Sequence, residues 1–119
     1  MLRLKRRRDA VWRLAFLISL LSIAVLSLLP APEALPSTGW DKSNHLLGYA
    51  LLGALARQGW PRTPAWRQFA GLLIWGALIE VLQARTGYRY AEWGDVVANG
   101  LGAALGAVLI ESARRLFRR

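Results

Sequence analysis

The sequence predicts an all-α integral membrane bundle of four transmembrane helices, with the N-terminus and the C-terminus both in the cytoplasm. Apolar residues make up 55% of the 119 residues and are condensed into four blocks separated by short charged or Pro/Gly-containing segments. A soluble domain of this size would interleave apolar and polar residues at a period of 2 or 3.6. Basic residues gather at those block ends that are predicted to lie on the same side of the membrane. The length of the chain limits it to one domain.

The four apolar blocks cover residues 10–29, 43–56, 69–84 and 96–110. Residues 1–9 are therefore predicted as a basic cytoplasmic N-terminus, residues 10–110 as the membrane domain, and residues 111–119 as a basic cytoplasmic tail. The first block follows a run of arginines, as a signal peptide would, but it is longer than a usual signal-peptide core, so a retained helix is favoured. The second block is shorter than the ~20 residues of an independent span and needs neighbouring helices.

The distribution of basic residues predicts the topology. Of the 16 lysines and arginines, 13 fall before or at the start of the first helix, between the second and third, or after the fourth. The positive-inside rule places these segments in the cytoplasm and the segments 30–40 and 85–94 outside. We expect a multi-pass protein of the bacterial cytoplasmic (inner) membrane, in contact with membrane lipids.

Aromatic and small residues indicate where the predicted helices end and how they pack. Five of the six tryptophans fall at predicted helix ends, where aromatic rings favour the headgroup region; they are Trp12, Trp40, Trp60, Trp66 and Trp93. Gly102 and Gly106 have the small-xxx-small spacing that lets two membrane helices approach closely. We expect these two glycines to pack the fourth helix against a neighbour within the chain.

Several classes of function are disfavoured. The net charge of +9 arises at segment ends, without a recognition helix or an aromatic-basic strand pattern, so nucleic-acid binding is not expected. Nucleotide-binding and hydrolase motifs are absent from the sequence, and no cofactor is expected. Because there is one histidine and no cysteine, zinc and the softer transition metals are disfavoured and no metal site is expected.

Polar residues from three predicted helices reach one depth near the outer surface. Asp41, His45 and Tyr49 share a face of helix 2 at i, i+4 and i+8. Glu80 and Gln83 lie near the outer end of helix 3, with Glu80 about 7 Å below Arg85. Asp95 and Asn99 repeat the i, i+4 spacing on helix 4. Because such groups are costly in lipid, we expect them to face one another or a wet cavity.

Individually, these residues also have structural interpretations. Asp41, Ser43 and Asp95 suit helix N-caps, Gln83 suits interhelical hydrogen bonding, and Tyr49 suits a core position. Together, Glu80 and His45 favour a functional pocket, since a buried acid requires a partner. The cations expected near Glu80 are His45, Lys42, Arg85 and Arg89.

The spaced pattern resembles that of the VanZ-like membrane proteins over roughly residues 41–110. It comprises D-K-x-x-H from Asp41, E-x-x-Q from Glu80, an arginine at 89, and D-x-x-x-N-x-x-G from Asp95. Arg85 falls outside this pattern and is a candidate as a nearby cation, and Tyr49 is a candidate because it shares a helix face with Asp41 and His45. The positions that the resemblance marks are Asp41, Lys42, His45, Glu80, Gln83, Arg89, Asp95 and Asn99. The family is named after a protein associated with resistance to teicoplanin, and the resemblance implies no defined activity.

Several functions therefore stay open at the level of sequence. The first is binding or remodelling of an anionic envelope-related lipid, amphiphile or cell-wall precursor, because the N-termini of helices 2 and 4 and nearby cations attract anions. The second is an intramembrane enzyme that uses His45 with Glu80 or Asp95 as acid and base. The third is a structural or assembly subunit, with an oligomer or a membrane-protein partner left open. Proton-coupled transport is disfavoured because the inner halves of the helices lack acidic residues and histidine.

Overall fold

Four α-helices form the described part of the structure, which is a computed structural model of the 119-residue chain. It describes residues 1–28, 41–87 and 93–117, and the side chains of residues 41–43 are not described. The helices are α1 (Leu2–Leu28), α2 (Asp41–Gly59), α3 (Ala65–Arg85) and α4 (Trp93–Phe117). The described part of the chain contains no strand, so the prediction of an all-helical fold is confirmed there.

Three of the helices are long and apolar enough to cross a membrane: Leu2–Leu28, Ala65–Arg85 and Trp93–Phe117. Helix α2 has 19 residues and is not among the three. Each helix extends beyond the apolar block that predicted it at one end or at both. In particular, α1 begins at Leu2 and includes the basic N-terminal segment, and α4 continues to Phe117.

Local sequence determines where α3 begins and ends. Pro64 precedes its first residue with extended backbone angles (φ −58°, ψ 140°), consistent with the ring of proline excluding the helical continuation upstream. At the other end, the Thr86 N–H donates to the Gln83 carbonyl, and Gly87 follows with φ +81°. A residue with a side chain is strained at that angle, so glycine suits this C-terminal position.

Hydrogen bonds between helices fix their directions. The N-terminal parts of α2 and α4 meet at the His45–Asn99 hydrogen bond, and their C-terminal parts meet at the Arg57–Glu111 ion pair. These two helices are therefore parallel. The C-terminal ends of α1 and α3 meet where Gln83 donates to the Ser27 carbonyl, whereas Arg13 near the start of α1 donates to Gly59 at the end of α2. The chain thus alternates in direction from one helix to the next.

The core of the bundle is the α2–α4 interface. Tyr49 and Leu52 of α2 are almost completely buried, and α2 packs most extensively against α4. A Cβ atom added to Gly102 or Gly106 would collide with the backbone carbonyl oxygen of Leu46 or Ala50, respectively. Gly102 and Gly106 therefore lie where two helix backbones approach closely, an arrangement typical of membrane helices.

The burial pattern of α4 is the reverse of that in a water-soluble bundle. Its buried face carries small or polar residues, namely Asp95, Ala98, Asn99, Gly100, Gly102, Ala103 and Gly106. Its opposite face exposes Val97, Leu101, Leu105, Val108 and Leu109, each at least 46% accessible. Water would disfavour such a continuous apolar face, whereas lipid would not. The fold therefore supports the membrane assignment, in agreement with the three apolar helices.

A polar network closes the end of the bundle at which α2 and α4 terminate. The Arg57 guanidinium donates to Glu111 Oε1 (2.7 and 2.9 Å), to the Thr63 carbonyl (2.6 Å) and to Gln68 Oε1 (3.2 Å). Gln68 in turn donates to the carbonyls of Ala56 and Trp60. These bonds satisfy carbonyls that the end of α2 leaves without a helical partner. The network belongs to the end where most of the basic residues lie.

Candidate functional site

Polar residues from three helices converge at the end of the bundle where α2 and α4 begin. His45 lies near the start of α2, Glu80 near the end of α3, and Asp95 and Asn99 near the start of α4. His45 Nδ1 is 2.9 Å from Asn99 Oδ1, and His45 Nε2 is 3.6 Å from Asp95 Oδ2. One ligand atom from each of His45, Glu80 and Asp95 lies within 4.8 Å of the others. We call these four residues the polar cluster.

The polar cluster is buried inside the bundle. Glu80 is 1% exposed, Asn99 2% and Asp95 7%, while the side chain of His45 keeps 15% of its accessible area. Burying ionisable groups in this way costs several kcal/mol unless they interact with one another, with polar groups or with an ion. The cluster therefore concentrates two carboxyl groups and an imidazole where the fold must compensate for their desolvation.

The Asn99 contact determines how the imidazole of His45 is used. A carboxamide oxygen only accepts hydrogen bonds, so His45 Nδ1 carries the proton and donates to Asn99 Oδ1. The second nitrogen, Nε2, is thereby directed towards Asp95. Residues that hold a histidine in one tautomer are typical of both catalytic and metal-binding sites.

Gly76 and Tyr49 shape the inner boundary of the cluster. A Cβ atom on Gly76 would lie 2.6 Å from Asn99 Nδ2 and 3.3 Å from the Tyr49 hydroxyl. Only a residue without a side chain leaves room there for the Asn99 amide against α3. Tyr49 is 2% exposed and belongs to the apolar core with Leu52. Its hydroxyl lies beside Gly76, as does the Asn99 amide.

The remaining predicted site residues lie in different places. Gln83 is buried, but its Nε2 donates to the Ser27 carbonyl at 2.6 Å and so joins α3 to α1. Arg85 is exposed at the end of α3. Asp41 and Lys42 form the first turn of α2, and their side chains lie outside the described part of the structure, as does Arg89 altogether.

Two features of the structure, the role of Gly76 and the burial of Arg57, were not predicted from the sequence. The sequence-based prediction did not include Gly76, although Leu72, Gly76 and Glu80 follow one another at i, i+4 and i+8 and all are buried. It also assigned Arg57 to topology alone, whereas this arginine is buried in the network with Glu111 and Gln68. The i, i+4 spacing of Gly76 with Glu80 could have revealed the position of Gly76. The hydrogen bond from Arg57 to Glu111 joins residues 54 positions apart, so no local sequence pattern indicates it.

Comparison of the chain with protein-family models, curated proteins and solved structures finds no match. The chemistry available to the site therefore follows from its own groups. An imidazole, two carboxyl groups and an amide can accept hydrogen bonds from hydroxyl or amine groups, transfer a proton, or hold a cation.

Proposed function

We propose that this chain binds or remodels the headgroup of an anionic, envelope-related lipid or amphiphile at the polar cluster. The observation that supports this function best is the meeting of His45, Glu80, Asp95 and Asn99 at one end of a bundle with an apolar outer surface. Polar groups at such a depth are costly and are typical of substrate or ion sites in membrane proteins. The resemblance of the motif residues to VanZ-like proteins agrees with an envelope role.

The charges around the polar cluster restrict the kind of headgroup that it can bind. The N-termini of α2 and α4 lie at the same end as the cluster and favour an anion through their free N–H groups. Lys42, Arg85 and Arg89 are close to the cluster in sequence, whereas the two carboxyl groups oppose an anion. A ligand that combines a phosphate or carboxylate with hydroxyl, sugar or amine groups satisfies both tendencies.

Substitution of Glu80 tests the headgroup proposal. We expect Glu80→Gln to weaken binding of phosphatidylglycerol about tenfold or more, because the Glu80 carboxylate would accept hydrogen bonds from the glycerol hydroxyl groups, and such a charged hydrogen bond contributes roughly 1.5–3 kcal/mol. A polyprenyl phosphate offers no hydroxyl or amine group to Glu80 and should not lose affinity in this way. Native mass spectrometry of the detergent-solubilised protein with phosphatidylglycerol, a polyprenyl phosphate or phosphatidylcholine measures this loss.

The matched control for Glu80→Gln is Glu111→Gln, which makes the same chemical change at the opposite end of the bundle. Circular dichroism establishes that both variants keep their helix content. Equal retention of all three lipids by the original chain, or equal losses in both variants, would contradict headgroup binding at the cluster.

The proposed topology places four spans in a bacterial cytoplasmic membrane, with α2 as the fourth span and both termini in the cytoplasm. The 13 basic residues that share one predicted side support this orientation. Helix α2 lacks the apolar character of the other three, so its insertion would depend on packing against α4.

Cysteine labelling tests the orientation directly, because the chain has no cysteine of its own. In intact spheroplasts, we expect Ser37→Cys to react with a membrane-impermeant maleimide and Leu116→Cys to be protected. Both variants should react after the membrane is permeabilised, which shows that the thiols are accessible. Labelling of Leu116→Cys in sealed spheroplasts would contradict cytoplasmic termini.

An intramembrane acid–base enzyme is the second candidate function. The specific observation in its favour is His45 Nε2 facing Asp95 Oδ2 at 3.6 Å while Asn99 holds the other ring nitrogen. Proton transfer requires groups within hydrogen-bond reach, directly or through one water. Turnover of a lipid-linked precursor by the purified protein, abolished by Asp95→Asn, would favour this function over binding alone.

A further inference from the structure

The geometry of His45, Glu80 and Asp95 suits a shared cation. Their three ligand atoms come from three different helices and lie within 4.8 Å of one another. Nitrogen and oxygen ligands stand about 2.0–2.2 Å from a divalent transition-metal ion, so two ligands of one ion are separated by at most about 4.4 Å. Small side-chain rotations therefore suffice to bring all three atoms onto one ion.

The contact between His45 and Asp95 provides a separate argument. Because Nδ1 of His45 faces Asn99 Oδ1, the other ring nitrogen, Nε2, is the one directed towards Asp95 Oδ2. A metal ion between these two atoms would be a ligand partner of both. Their separation of 3.6 Å exceeds the usual 2.7–2.9 Å of a charge-assisted hydrogen bond. It matches two ligands about 2.1 Å from one ion at an angle of about 120°.

The contact of His45 Nδ1 with Asn99 also fits a metal centre. Metal-binding histidines usually donate their other ring N–H to an oxygen, which fixes the ring orientation, and Asn99 accepts such a bond from His45. Asn99 is itself held against Gly76 of α3, where no side chain competes for the space. The ligand nitrogen is therefore oriented by residues that are themselves buried in the helix interface.

A cation would also resolve the charge conflict of the proposed function. Two carboxylates repel an anionic headgroup, whereas a divalent ion bound to both brings the net charge of these groups to zero. Three protein ligands leave coordination positions open for a phosphate or carboxylate oxygen of the headgroup. The sequence disfavours a metal at His45 and the nearby carboxylates because it offers one histidine and no cysteine, whereas the fold brings the imidazole and two carboxyl groups within 4.8 Å of one another.

We propose that His45, Glu80 and Asp95 bind one divalent metal ion, of the class of Mn²⁺ or Zn²⁺, through one nitrogen and two oxygen ligands. One imidazole with two carboxylates suits ions that accept both nitrogen and oxygen donors. This inference rests on the proposed function only in assigning the open positions of the ion to an anionic headgroup.

Metal binding is measured on the full chain in detergent after treatment with EDTA and removal of the chelator. With Mn²⁺ or Zn²⁺ as the probe, we expect about one ion per chain and a higher unfolding temperature, because an ion that binds the folded state stabilises it. Elemental analysis gives the stoichiometry, and loss of the signal of free Mn²⁺ in electron paramagnetic resonance gives the affinity.

Variants locate the ion at the proposed ligands. We expect Glu80→Gln and Asp95→Asn each to weaken ion binding at least about tenfold, since changes even outside the ligand set cost 10–100-fold. Asp9→Asn makes the same change in α1, far from the cluster in sequence, and should bind the ion like the original chain. Absence of a bound ion in the original chain, or equal loss in Asp9→Asn, overturns the proposal.

Lipid binding measured with and without EDTA separates the metal from the headgroup function. If EDTA abolishes retention of the anionic lipid and added Mn²⁺ or Zn²⁺ restores it, the ion is part of the headgroup site. If no ion binds but Glu80→Gln still loses the lipid, the metal inference is wrong and the headgroup function stands. If the ion binds but no lipid is retained, the metal site stands and the headgroup function is wrong.

Discussion

Replacement of Gly106 by alanine is expected to destabilise the bundle more than replacement of any other glycine of α4 by alanine. The new Cβ would collide with the Ala50 carbonyl oxygen and lie 2.8 Å from the Ala54 nitrogen. Both atoms belong to the backbone of α2, so no side-chain rotation relieves the clash and the two helices must separate. Overpacking of this kind costs about 1–3 kcal/mol, and we expect the upper part of that range.

Gly71→Ala is the matched control for Gly106→Ala. Gly71 also lies within a membrane-spanning candidate helix, but a Cβ atom there would meet nothing within 4 Å. Thermal unfolding in detergent, together with unfolding by titration with SDS, measures both variants. Equal stability of the two variants would show that the close approach of α2 and α4 does not limit the stability of the bundle.

Replacement of Arg57 by alanine is expected to open the other end of the bundle. The substitution removes the donors to the Thr63 carbonyl, Gln68 Oε1 and Glu111 Oε1. Unsatisfied buried acceptors cost about 1–3 kcal/mol each, but Glu111 is partly exposed and solvent reduces its share. We expect a total loss of about 2–3 kcal/mol in the free energy of unfolding, measured in the same detergent.

Two further variants make the Arg57 prediction specific. Arg62→Ala removes an arginine outside the network from the same end and should leave the stability nearly unchanged. Glu111→Gln combined with Arg57→Ala should cost less than the sum of the single changes, because the two side chains are in direct contact. Strict additivity would indicate that the 2.7 Å ion pair contributes nothing to stability.

Sequence periodicity predicted the helices and the common depth of the polar cluster for simple geometric reasons. A rise of about 1.5 Å per residue and an alternating chain direction place His45, Glu80 and Asn99 near the same end without knowledge of contacts. The four helices and the contact of His45 with Asn99 agree with that expectation. The VanZ-like resemblance, the ligand and the functional role of these residues stay predictions.

Partner choice could not be predicted in the same way. Periodicity shows which face of a helix is buried, but not which neighbour covers it. Gln83 was therefore assigned to the pocket, whereas its amide donates to α1 at Ser27. The Arg57 network escaped prediction because a long charged side chain in a topology-determining segment looks the same whether it is solvated or buried.

The parallel pairing of α2 with α4 has a consequence for biosynthesis. As the chain leaves the ribosome, α2 emerges before α4, the helix against which it packs most extensively. A nascent chain that ends before α4 therefore holds the least apolar helix without its main partner. We therefore expect a chain truncated before α4 to be degraded faster than the full chain, because α2 then lacks its main packing partner.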